Sequence, residues 1–375
     1  MSLKLFSEDQ LKALEAISSW YKSKSMDPFK LSGFAGCGKS TLTAYLSTHL
    51  DVRVLYMGPT GKSAAVLRSK GVLASTIHST IYIPVVNTYR RRIDYTLKND
   101  MEDSCDLIVV DEASMVSEDI QRDLESLGPK VIYVGDPFQL PPVGSSTNHM
   151  EHANFTLSKL HRFAETNEIY LLSQRVKAGN SVPYGKVGDN LKKVTKGLAL
   201  LPKTLVEADV VLCGMNSTRK RINDIVRNKK RFKNILEDGE RVIITKNNRE
   251  TGLVNGDMGV ITSVGRESKV DYLIEVQYLD DQSDKPRTLT VDTHAFYGVD
   301  LAKESHMSDK KFNMAREAHR VVVDYGYALT CHKSQGSEYD NVVLIEEPIG
   351  ETALDKARWL YTAVTRAKKT LLIGK

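Results

Sequence analysis

The chain has 375 residues, 41% of them hydrophobic and 26% charged, with a net charge of +5 at neutral pH and an isoelectric point near 8.8. That length exceeds one ordinary core and suits two or three domains, while the balance excludes disordered, collagenous and fibrous classes. No apolar run reaches the length of a bilayer span, the amino terminus lacks a signal-peptide stretch, and Cys37, Cys105, Cys213 and Cys331 have no CxxC spacing. A cytoplasmic protein with no membrane partner, disulfide or zinc is therefore expected. Mild basicity permits a nucleic-acid partner.

The amino-terminal stretch "MSLKLFSEDQLKALEAI" reads as an amphipathic helix. From 28 to 143 apolar strands alternate with helical stretches: "FKLSGF", "KSTLTAYLSTHL", "VRVLYMG", "GKSAAVLRSK", "DLIVVDE", "SEDIQRDLESL" and "KVIYVGD". The alternation predicts a parallel sheet covered on both faces, with chemistry at the carboxyl ends of its strands. Residues 81–100, rich in β-branched and aromatic side chains, interrupt it as a β-hairpin. Residues 155–179 read as helix and 179–206 as a Gly-, Lys- and Pro-containing connector; "DVVLCGM" then opens a second α/β unit, with Asn216 or Ser217 placed as helix cap. The run 219–234 carries eight positive charges against one negative, most simply a solvated face. Between about 239 and 300 the period changes to alternating strands, predicting an inserted all-β module, and "VVVDYGYALT" and "DNVVLIEE" restore the α/β pattern.

The segment "GFAGCGKST", Gly33 to Thr41, satisfies GxxxxGK[ST] between a strand and a helix. Inward-turned amides and a helix amino terminus there suit a polyphosphate, with Lys39 reaching the β- and γ-phosphates and Ser40 ligating Mg2+. In "IVVDEAS", Asp111 is expected to hold the magnesium shell and Glu112 to orient or deprotonate the attacking water. Gln139, in "YVGDPFQLPPVG", stands at a third strand end, where its amide suits the γ-phosphate or the water; the neighbouring prolines stiffen the chain beyond it. ATP and Mg2+ are the expected cofactors.

The ordered set "GFAGCGKST", "GPTGKSAA", "STIHS", "VVDEASM", "GDPFQLPPV", "KLHRF", "ALTCHKSQGSEYD" and "YTAVTRAK" resembles superfamily 1 DNA helicases of the RecD-like, Dda-like branch over nearly the whole chain. The resemblance implies two RecA-like P-loop NTPase domains in an α/β fold, with a small β-hairpin insertion in the first and an SH3-like β insertion in the second. The first motor domain is expected over 1–170 with a pin at about 80–104, a connector over 171–206, the second motor domain over 207–238 and 321–375, and the β module over 239–320. It assigns Gln10 to the adenine and Gly33, Gly36, Gly38, Lys39, Ser40 and Thr41 to the phosphates. Arg162 and Arg366 are implied to reach the γ-phosphate, and Gly336 and Glu338 to close the nucleotide cleft from the second domain.

Thr60, Lys62, Thr76 and His78 on the first domain, and His332 and Lys333 on the second, are implied to track single-stranded DNA, by contacts that do not read sequence. Tyr82, Tyr89 and Tyr95 of the pin are placed to stack at a fork, with Arg90, Arg91 and Arg92 on the backbone. The implied activity is ATP-dependent unwinding with 5′ to 3′ movement on single-stranded DNA and fork or tailed duplexes, by a monomeric motor in a bacterial or phage-infected cell, with possible replication, repair or recombination partners. An ATP-driven remodeller that displaces proteins without separating strands is the alternative, and an RNA-directed motor a third.

Overall fold

The computed structural model describes residues 6–87, 92–98, 101, 104–142, 148–159, 167–246, 248, 251, 253–266, 271–279, 286–292 and 320–375. The chain divides into two compact units, residues 1–181 with 349–365, and residues 182–348 with 366–375.

Unit 1 is built on β1 (Phe29–Gly33), β2 (Val54–Gly58), β3 (Ala74–Thr76), β6 (Leu107–Val110), β7 (Lys130–Gly135) and β8 (Phe155–Leu157), with the hairpin β4 (Tyr82–Asn87) and β5 (Arg92–Leu97) between β3 and β6. Its helices are α1 (Glu8–Lys22), α2 (Lys39–Leu50), α3 (Gly61–Ser69), α4 (Ile77–Ile81), α5 (Glu118–Glu125) and α6 (Glu168–Lys177). The sheet runs β3-β2-β6-β7-β1-β8, and every pairing is parallel. Period-2 alternation explains why both faces are apolar. Ile132 and Val134 join one core with Leu14, Leu42 and Leu67, whereas Val131 and Tyr133 join another with Ile77 and Leu124. Lys130 then ties β7 to the end of α1, its Nζ donating to the carbonyls of Trp20 (3.1 Å), Tyr21 (3.0 Å) and Ser23 (2.7 Å). A cation at the carbonyls that end a helix suits the helix dipole.

Unit 2 contains β9 (Gly185–Val187), β10 (Leu191–Val194), α7 (Lys196–Ala199), α8 (Pro202–Glu207), β11 (Val210–Cys213) and α9 (Asn216–Lys230). A second sheet, β12 (Arg241–Ile244), β13 (Met258–Arg266), β14 (Asp271–Tyr278), β15 (Arg287–Asp292), β16 (Arg320–Val321) and β17 (Val323–Tyr325), precedes β18 (Ala328–Thr330) and β19 (Tyr339–Ile345). After α10 (Ala353–Val364), which belongs to unit 1, β20 (Ala367–Gly374) completes the order β18-β11-β19-β20-β10-β9. The inserted sheet runs β16-β15-β14-β13-β12-β17 and is antiparallel apart from β15 with β16. It has its own core of Val242, Ile261, Val276, Leu289 and Val323.

Several expectations change. Residues 155–157 form strand β8 against β1, helix α6 runs from Glu168 to Lys177, and residues 160–166 of the expected helix lie outside the described residues. The expected connector supplies β9 and β10, the edge of the second motor sheet. "VVVDYGYALT" is shared: Val323–Tyr325 pairs with β12 of the insertion, and Ala328–Thr330 with β11. Residues 349–365, expected in the second motor domain, pack with unit 1. Helix α9 is capped at Met215 without a side-chain bond, because Asn216 lies inside the helix and accepts from Arg219 Nε at 3.3 Å.

Candidate nucleotide and nucleic-acid site

Because the unit 1 strands are parallel, β1, β2, β3, β6 and β7 all deliver their following residues to one edge of the sheet. The loop after β1 turns through Gly36 (φ +87°) and Gly38 (φ +76°), a left-handed backbone that side chains resist. Gly38 caps α2 without a side-chain bond, and the first turn has no acidic residue. The amides of that turn are thus not engaged by a capping side chain, and the helix end favours an anion. Lys39 Nζ donates to the loop's own carbonyls, Gly33 at 2.7 Å and Phe34 at 3.1 Å, so the ammonium is held at the loop. Ser40 and Thr41 follow in the same turn.

Strand β7 lies between β1 and β6 in the sheet, yet the side chains approach: the Ser40 hydroxyl lies near enough to Asp111 to favour its ionised form. Burial pushes the Asp111 carboxyl up, opposed by the Ser40 hydroxyl and the Lys39 charge. A buried carboxylate beside a hydroxyl is a donor set that fits Mg2+, which takes one or two protein oxygens and leaves the rest of its shell to phosphate and water. Glu112 next to it is left-handed (φ +53°, ψ +38°), with its amide donating to Asp111 Oδ1 at 3.0 Å. Such a conformation in a non-glycine residue is strain of the kind that collects at functional positions.

At the end of β7 the conspicuous carboxylate is not presented to the solvent. Asp136 is fully buried and accepts from Phe138 N at 3.0 Å and from Tyr361 OH at 2.8 Å, so it organises the turn. Gln139, 2% exposed, has no hydrogen-bond partner for Oε1 among the described residues. Gln10 is N3 of the α1 capping box, its Oε1 accepting from Ser7 N at 3.0 Å, which gives it a structural task besides the expected one. Its neighbour Asp9 accepts from Ser158 N (2.7 Å) and Lys159 N (3.1 Å), just after β8. Arg162 lies outside the described residues.

The expected nucleic-acid residues of unit 1 follow β2 and β3, on the far side of the sheet edge from β1. Thr60 caps α3 through a capping box with Ser63, and Thr76 caps α4 by accepting from Ser79 N at 3.3 Å. Lys62 is in the first turn of α3 and half-buried. His78 meets the rings of Tyr82 (5.5 Å) and Tyr95 (6.4 Å), and desolvation holds its pKa below the usual value. Tyr82 donates to Asp123 and anchors the hairpin base; Tyr95 is 55% exposed. Tyr89, Arg90 and Arg91 lie outside the described residues.

In unit 2, Arg366 is 2% exposed and its guanidinium donates to Ser337 O at 3.2 Å, between Gly336 (φ +74°) and Glu338. The structure therefore brings Arg366 to the "SQGSE" segment 29 residues away in sequence. His332 and Lys333 occupy the short helical turn after β18, and burial lowers the pKa of both. Of the basic run, Arg219 pairs with Asp324 (2.6 Å) and Arg227 with Glu240 (2.6 Å), so these two charges are structural. Sequence reasoning gave no role to Asn148, Tyr361 or Thr362; a buried asparagine and a tyrosine some 225 residues from its partner leave no local pattern.

Residues 6–191 match the family model described as an AAA domain, and residues 325–373 match the UvrD-like helicase C-terminal domain. The ATP-dependent RecD2 DNA helicase of Deinococcus radiodurans is 27% identical over 90% of this chain and 45% of its own length. An uncharacterised protein of Methanocaldococcus jannaschii is 26% identical over 92% of this chain and 36% of its own. For the ATP-dependent DNA helicase Pif1 of Campylobacter jejuni the figures are 24%, 92% and 88%. The chain thus spans less than half the length of the first two of these relatives. Bacteroides Pif1, solved bound to single-stranded DNA, superposes with a TM-score of 0.61 at 18% identity, covering 100% of this chain and 92% of that one. Pif1 of Candida albicans gives 0.58 at 17% identity, with 100% and 95% covered. The main fold is accordingly that of two RecA-like domains, and the chain is similar to RecD2 and Pif1 helicases over 90% and 92% of its length.

Proposed function

We propose that the protein is an ATP-dependent DNA helicase that moves 5′ to 3′ on single-stranded DNA and opens fork or tailed duplexes. The observation that carries this reading is the meeting of Lys39, Ser40 and Asp111 at one strand-end edge, with the strained Glu112 beside them. The loop amides and Lys39 bind the polyphosphate, and Gln10 serves the adenine. Ser40 and Asp111 would hold Mg2+, which supplies positive charge against the phosphate oxygens when bound. Glu112 orients the attacking water and accepts its proton, while Gln139 donates to the water or the γ-phosphate. Arg162 and Arg366 stabilise the charge that develops on the transferred group, and Gly336 and Glu338 act on the same nucleotide.

Thr60, Lys62, Thr76 and His78 contact DNA from unit 1, and His332 and Lys333 from unit 2. Depressed pKa values keep both histidines neutral near pH 7, so they serve as hydrogen-bonding groups while the lysines supply charge. The exposed side chains of the hairpin, Ile83 and Val85 on one face and Tyr95 on the other, suit unstacked bases better than phosphate. The molecule acts as a monomer, with replication or recombination proteins as further partners.

ATP-driven displacement of a labelled strand from duplexes that differ only in a 5′ or a 3′ tail tests the proposal. Displacement from the 5′-tailed duplex alone is expected. Preference for the 3′ tail reverses the polarity, and DNA-stimulated ATPase without displacement from either favours the remodeller.

A further inference from the structure

Gln139 is gripped through its backbone from two sides. On one, Asn148 Nδ2 donates to the carbonyls of Asp136 (3.2 Å), Pro137 (3.1 Å) and Gln139 (3.2 Å). On the other stands α10: Tyr361 OH donates to Asp136 Oδ2 at 2.8 Å, and the Phe138 ring meets the Tyr361 ring edge-on at 5.2 Å. Leu140 N donates to Thr362 Oγ1 at 3.0 Å. These contacts fall on the residues immediately before and after Gln139. Because its Oε1 has no bond of its own among the described residues, the backbone decides where the amide points. Tyr361 reaches the phosphate loop too, with the Phe34 ring 6.4 Å away and Lys177 Nζ 3.4 Å over that same ring.

We propose that Tyr361 and Thr362 are positioning residues for Gln139, so that the "YTAVTRAK" segment serves hydrolysis through this turn as well as through Arg366. The inference rests on the ATPase reading above. An amide that acts on a water or a γ-phosphate must be held to a fraction of an ångström, and a turn fixed only by its own prolines is not held after Gln139 until Pro141. The Tyr361 hydroxyl and the Thr362 oxygen supply that restraint on opposite sides of the glutamine. Tyr361→Phe removes the bond to Asp136 while keeping the ring against Phe138 and Phe34. Thr362→Val removes the acceptor for Leu140 N at nearly the same volume, and Thr362→Ser keeps it.

DNA-stimulated ATP turnover and melting temperature are measured for the wild type, Y361F, T362V, T362S, Q139A and the double variant Y361F/Q139A. Y361F and T362V are each expected to lower kcat by about tenfold. KM for ATP should stay within about twofold and the melting temperature within about 2 °C. T362S should retain turnover, and Y361F/Q139A should be no slower than Q139A. Unchanged kcat in Y361F, a fall in melting temperature that accounts for the loss, or losses that multiply in the double variant would each overturn the proposal. Absence of DNA-stimulated turnover in the wild type overturns the functional reading, and this inference with it.

Discussion

Glu112 holds its place beside Asp111 at the cost of a left-handed backbone, φ +53° and ψ +38°, that only glycine adopts freely. Two substitutions separate that strain from the carboxylate. Glu112→Gln keeps the side-chain length and the strain, so it should bind ATP, melt with the wild type, and lose at least about 100-fold in hydrolysis. Glu112→Gly should lose hydrolysis as severely yet melt no lower than the wild type, because relief of a left-handed residue is worth roughly 1 kcal/mol. Calorimetry beside a turnover assay checks both; a Glu112→Gly protein that melts below Glu112→Gln would show that the side chain stabilises the loop. The places of Lys39, Ser40, Asp111 and Glu112 at strand ends and a helix start were legible in sequence since each lies within a short segment whose strand and helix could be read. Asp136 follows a strand that the sequence shows, but its burial and its bond to Tyr361 leave no local pattern.

Among the elements, β2 and β6 show how register is set at a strand start. Arg53 and Asp106 are joined side chain to side chain (Nε to Oδ2 3.1 Å, guanidinium to Oδ1 2.8 Å), and Arg53 N donates to Oδ2 at 2.9 Å, immediately before the pair Val54 and Leu107. The Arg53 hydrogen bonds hold the Asp106 carboxyl down to about 2, against an ordinary 3.8. A depressed folded-state pKa means stability that is present above the unfolded value and lost as pH falls through the folded one. Asp106→Asn should therefore melt below the wild type near neutrality, and the gap should close between about pH 4 and pH 2. A gap independent of pH would assign the effect to something other than the carboxylate. Long alternating strands were read correctly for the reason that makes them strands: one face must be buried on each side. β8 and β17 were misread, since three residues carry too little period to choose between helix and strand or between one sheet and another.

For the whole molecule, the net charge of +5 is spread over a chain in which several basic side chains are already engaged in internal pairs, among them Arg53, Arg219 and Arg227. Affinity for single-stranded DNA should accordingly depend on a few phosphate contacts. Lys62→Ala and Lys333→Ala should each reduce the slope of log affinity against log salt by about 0.7, equally on homopolymeric and mixed sequences. Titration at several salt concentrations measures this, and an unchanged slope would remove that lysine from the DNA track. The sequence by itself determined the glycine-rich loop between β1 and α2, the carboxylates that end β6 and the two α/β patterns, because each is written in neighbouring residues whose spacing reflects helix and strand geometry. Only the tertiary structure decided that residues 349–365 pack with unit 1, that β17 closes the inserted sheet, and that Tyr361 and Thr362 hold the turn of Gln139. Those outcomes depend on hydrogen bonds and buried surfaces between segments far apart in the chain, which local propensity does not encode.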